Sequence, residues 1–194
     1  MSDILPIHYA LSEAAIVAAG GYAVVKAWPV NRWFAIGVAS AALAGLIGAI
    51  RIASGMTGSI IILHEFLSRI GAIFGLGCIF GVMLMRGQML PPSLGLAAAS
   101  LAILVPASTT PLFGAFILGG AVLAYRGARN RKLLAAGSFA FLVCAALFSA
   151  PLRITYPGFG WHVFHMLVAL WFVLVATFVS IPPRVLPELV KTVA

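Results

Sequence analysis

Apolar residues dominate this chain in long blocks, and polar residues fall almost entirely in the gaps between them. A bilayer-spanning helix needs about 20 mostly apolar residues, and seven blocks approach that length: 7–27, 33–53, 58–85, 92–107, 111–126, 133–150 and 159–181. Each gap carries the residues that stop a helix. Trp28-Pro29-Val30-Asn31-Arg32 forms a turn, and Ser54-Gly55-Met56-Thr57-Gly58 is rich in glycine. Arg86-Gly87-Gln88 leads into Pro91-Pro92, Pro106 and Pro111 bracket a tight reversal, and Pro151 with Tyr156-Pro157-Gly158 opens the last block before Pro182-Pro183 closes it. The pattern predicts an all-α, polytopic membrane protein, a seven-helix bundle forming one domain over residues 1–194. The fourth block is the shortest.

Composition agrees and excludes an ordinary soluble domain. Hydrophobic residues make up 63% and charged residues 8% of 194 positions, with a mean hydropathy of +1.14; a typical soluble domain is about 45–50% apolar and about 25% charged. Seven spans use most of the chain, so no soluble domain is expected beside them. The first block has no basic residue before it and carries Asp3, which argues against a cleaved signal peptide. Cys78 and Cys144 both lie in apolar blocks and read as packing residues rather than a disulfide pair.

The formal charge of +8 would suggest nucleic acid in a soluble protein. Here its distribution gives another explanation. With the amino terminus outside, Lys26, Arg32, Arg86, Arg126, Arg129, Arg131, Lys132, Arg184 and Lys191 all fall on the inner side. Only Arg51 and Arg153 fall on the outer side, and Arg69 lies within the third span. Such a bias places the amino terminus outside and the carboxyl terminus in the cytoplasm. It requires no nucleic-acid partner, and it suits a multi-pass protein of a bacterial inner (plasma) membrane.

Small residues recur at four-residue spacing, at Ala41 and Gly45, Gly71 and Gly75, and Gly77 and Gly81. They let helix backbones approach closely in lipid.

Ionisable residues inside spans are costly and are functional candidates by default. Those present are Glu13, Arg51, His64, Glu65, Arg69, His162 and His165, with His8 and Arg153 at the margin. Apart from Arg69, which lies deeper in the third span, the topology puts them in the outer half of the membrane. His162 and His165 stand one helical turn apart, a geometry that suits two ligands of one metal or two interfacial histidines bonded to water or carbonyls. His64 is the candidate third ligand. Glu65 either pairs with Arg69 four residues on or serves the site as ligand or general base. Glu13, the lone acid of the first span, either pairs with Arg51 or Arg153 or accepts a proton. Arg51 and Arg153 either hold an anionic headgroup or extend to the interface.

Seven spans with polar residues in the second, third and seventh, together with Val163-Phe164-His165-Met166-Leu167-Val168, resemble a superfamily of membrane hydrolases. It includes the alkaline ceramidases and the progestin and adiponectin receptors. The resemblance implies zinc and hydrolysis of a lipid amide, with His165 matching the second histidine of a last-helix H-x-x-x-H pair. The first histidine of that pair falls here at Trp161, with His162 one place on. The second span offers Gly or Arg where a third ligand is expected, and His64 and Glu65 stand where the family has its third-span acid. The expectation is a zinc-dependent hydrolase of a lipid amide or ester at the outer leaflet. In it His64, His162 and His165 hold metal, Glu65 and Glu13 act on protons, and Arg51 and Arg153 face the headgroup. A haem protein with histidines of the third and seventh spans on one iron, and a non-catalytic seven-helix receptor or subunit, are the alternatives.

Overall fold

The computed structural model describes residues 5–84, 90–127, 152 and 154–180. It is all-α. Helix α1 covers Tyr9–Ala27, α2 Arg32–Ser54, α3 Ser59–Phe66, α4 Ala72–Leu84, α5 Leu90–Leu104, α6 Thr109–Gly127 and α7 Pro157–Ser180. A π-helical turn, Leu67–Gly71, joins α3 to α4 in one continuous rod.

Among the described residues four stretches are long and apolar enough to cross a membrane: Tyr9–Ala27, Arg32–Ser54, Ser59–Val82 and Pro157–Thr177. They coincide with the first, second, third and seventh predicted spans. The fourth predicted span is α5, whose 15 residues reach about 22 Å at 1.5 Å per residue. Within the described residues that is short of a hydrocarbon core of about 30 Å, and Pro106 follows shortly after its end. The fifth predicted span corresponds to α6, and the sixth, 133–150, lies outside the described residues.

Local chemistry sets the turns. The Asn31 side chain accepts a hydrogen bond from Phe34 N at 3.0 Å and caps α2. At its far end Gly55 takes a left-handed φ of 66°. Its N–H bonds Ile52 O and the Met56 N–H bonds Arg51 O, which together make a Schellman motif.

Contacts along the helices give their directions. Tyr9 meets Trp161, Glu13 meets His165, and Gly20 lies beside Phe172, so α1 and α7 run parallel. Gly20 also faces Ala42 while Gly48 faces Glu13, so α1 and α2 run antiparallel. Gly37 and Gly75 bring the backbones of α2 and α4 together, and Gly77 and Gly81 do the same for α4 and α5. Gly75, Gly77 and Gly81 are among the small residues whose spacing predicted close packing; Gly37 is not. The apolar core runs through the same interfaces, with Phe34, Val38, Ile73 and Phe172 almost fully buried.

Candidate functional site

The start of α1, the end of α2, the start of α3 and the start of α7 meet at one end of the bundle. Glu13 reaches in from α1 and is only 2% exposed. Its Oε1 lies 3.5 Å from His64 Nε2 and 3.3 Å from His165 Nε2. The carboxylate of the first helix is thus held between imidazoles of the third span and the last.

Gly48 makes this possible. The Glu13 carboxylate crosses the face of α2 to reach His64, and it crosses where α2 has no side chain. A Cβ at Gly48 would stand 2.6 Å from His64 Nε2 and 2.8 Å from Glu13 Cδ.

The orientation of His165 is set by its own helix. Its Nδ1 lies 2.8 Å from Trp161 O, and a carbonyl only accepts, so Nδ1 carries the proton and Nε2 is the atom turned to Glu13. The Trp161 ring stacks on the imidazole with centroids 4.5 Å apart and planes 23° from parallel. Trp161 Nε1 is itself buried with no hydrogen-bond partner.

These groups form one wall of a cavity of about 810 Å³. Glu13, Arg51, His64, Glu65, Arg69, Trp161 and His165 line its polar side, while Ile16, Leu76, Ile79, Phe113, Ile117 and Phe172 line the rest. Arg51, in the last turn of α2, is 8% exposed.

Not every residue singled out in the sequence joins this cluster. His162 is one turn before His165 and about 60° round the helix, which turns it away from Glu13. Its Nδ1 lies 3.1 Å from Ser12 Oγ, whose proton goes to Tyr9 O at 3.0 Å, and its ring stands 5.3 Å from that of His8. Glu65 is exposed on the cavity wall, and among the described residues no ion pair joins it to Arg69. Glu13 pairs with the two histidines rather than with Arg51. Arg153 lies outside the described residues.

The expected zinc ligands His64, His162 and His165 do not converge as placed. Among the described residues no three of His, Cys, Asp and Glu are arranged to hold a metal ion. His64 and His165, the histidines expected to hold a haem iron, both turn Nε2 towards Glu13 Oε1 instead.

Three participants were not legible as such in the sequence. Gly48 is marked only by standing one turn before Arg51, Trp161 only by standing four residues before His165, and Ser12 only by its place beside Glu13. Comparison with protein-family models, with curated proteins and with solved structures returns no match.

Proposed function

We propose that this chain is a membrane-embedded hydrolase of a lipid amide or ester, with seven spans and its amino terminus outside. The observation that carries the reading is Glu13, buried between two imidazole nitrogens on the wall of a large, mostly apolar cavity. Buried ionisable groups in a membrane protein that line a cavity mark chemistry more often than packing. The resemblance to the ceramidase and receptor superfamily supports the same reading.

The residues suit acyl transfer to water. The apolar wall of Ile79, Phe113, Ile117 and Phe172 takes the acyl chain and leaves its carbonyl at the polar side. Glu13 accepts a proton as water attacks the carbonyl carbon, a general-base role. The Trp161 Nε1–H, a buried donor lacking an acceptor, supplies a hydrogen bond to the oxygen that becomes negative. As the carbon–nitrogen or carbon–oxygen bond breaks, a protonated His64 or His165 delivers a proton to the departing amine or alcohol. The products are a fatty acid and the freed headgroup.

Purified protein should therefore turn over long-chain amides or esters, and Glu13→Gln should lower kcat by roughly 10²–10⁴-fold, the usual range for a lost general base. Absence of turnover across a panel of both bond types, or full activity in E13Q, would overturn the reading. Metal analysis tests zinc separately. About one equivalent per chain, lost in His165→Ala, would return the reaction to a zinc-dependent form.

A further inference from the structure

Arg51, Glu65 and Arg69 line the cavity without a task in the hydrolytic scheme, and of these only Arg51 is buried. It stands in the last turn of α2, where a cation is favoured by the helix dipole, and a charge with only that role would point to water. Instead Arg51 is 92% buried, the complement of its 8% exposure, and lines the cavity. No carboxylate lies within 4 Å of it among the described residues, and Glu13 lies instead between His64 and His165. A guanidinium on a mostly apolar cavity wall, with no carboxylate partner among the described residues, is unfavourable unless an anion completes it.

From these observations we propose that the cavity takes an acyl lipid bearing a phosphate, and that Arg51 binds that phosphate. The planar guanidinium presents two parallel N–H donors to a phosphate, a match that a lysine lacks. Arg51 follows Gly48 by three residues, on the same face and about 4.5 Å further along the axis. Gly48 marks the level of Glu13 and His64. The anion therefore sits about one helical turn from the reacting carbonyl, a reach comparable with the few bonds of a glycerol between an ester carbon and its phosphorus. Neutral sphingoid lipids, the substrates that the ceramidase resemblance implies, have no anionic group for Arg51.

The inference rests on the hydrolase reading for the position of the carbonyl, but its test does not need turnover. The full chain carrying E13Q, in a nonionic and phosphate-free detergent, is titrated with a monoacylglycerol phosphate, with the monoacylglycerol of the same chain length, and with inorganic phosphate. The phosphorylated lipid should bind at least tenfold tighter than the neutral one. Arg51→Gln should bring the two to equal affinity, and Arg51→Lys should retain part of the difference. Equal affinities in protein that keeps Arg51, or a preference that survives R51Q, would overturn the proposal. So would Arg51-dependent binding of inorganic phosphate without any lipid preference, which would make free phosphate the ligand. If R51Q does not fold, the comparison of the two lipids on protein that keeps Arg51 still decides. A lipid preference without turnover would remove the hydrolase reading alone; turnover without a preference would remove this one alone.

Discussion

Gly48 is the residue on which the arrangement of the site depends most directly, and it is the one with no chemistry of its own. Replacing it with alanine favours the helix by up to about 1 kcal/mol. The added methyl must also displace His64 Nε2 or the Glu13 carboxylate, since both lie under 3.0 Å from its position, and overpacking of this kind costs about 1–3 kcal/mol. The second effect wins. Gly48→Ala is expected to lower the melting temperature and to reduce turnover as the base is displaced. Gly21→Ala provides the contrast: no atom lies within 4 Å of its Cβ position, so only the propensity term acts and the protein should gain stability. Thermal unfolding of the two variants side by side checks the argument, and equal shifts would sink it. Sequence reasoning picked out Glu13, His64 and His165 because ionisable groups are scarce in apolar spans. It did not pick out Gly48, because a glycine in a membrane helix is too common to carry a signal. It also grouped His162 with His165 by their shared turn. Spacing places two residues on one helix but does not say which neighbouring helix each faces.

At the scale of elements, the apolar blocks locate helices well and describe their interiors poorly. The third block is one rod, as hydropathy implies, but a π-turn at Leu67–Gly71 interrupts it. Such turns are frequent at functional sites, and this one follows directly after His64, Glu65 and Phe66. Its last carbonyl, Gly71 O, lies 2.9 Å from Ser40 Oγ on α2, which also lies 2.8 Å from Gly37 O in its own helix. No hydrophobic pattern encodes that cross-helix bond. The four-residue spacing of Gly71 and Gly75 was visible, but their roles differ. A Cβ at Gly75 would collide with Gly37 O and lie 2.6 Å from Ser40 Oγ, whereas one at Gly71 would meet Ser40 O at 3.5 Å and Leu67 Cδ2 at 3.9 Å, both ordinary contacts. Gly75→Val should therefore destabilise the bundle by about 1–3 kcal/mol or more by forcing α2 and α4 apart. Gly71→Ala should stay within about 0.5 kcal/mol of the parent, as substitutions without a specific clash usually do. Denaturation midpoints in detergent measure both, and a tolerant Gly75 would show that the α2–α4 approach is looser than described.

The whole molecule has a direction, and the site lies at one end of it. Helices α1 and α7 run parallel, the relation that an odd number of crossings gives to first and last spans. Glu13, His64 and His165 all stand near the end shared by the start of α1, the α2–α3 turn and the start of α7. On the proposed topology the excess of basic residues makes the opposite end cytoplasmic and turns the site to the outer side. Two exposed residues in short turns report this directly. Val30 lies between α1 and α2, and Met56 lies between α2 and α3, exposed by 55% and 52%. In protein whose Cys78 and Cys144 are replaced by alanine, a membrane-impermeant maleimide applied to intact cells should label Met56→Cys and leave Val30→Cys unlabelled until the membrane is opened. The reverse pattern would invert the molecule. It would place the cavity and Arg51 at the cytoplasmic leaflet, and any lipid drawn into the cavity would then come from that side.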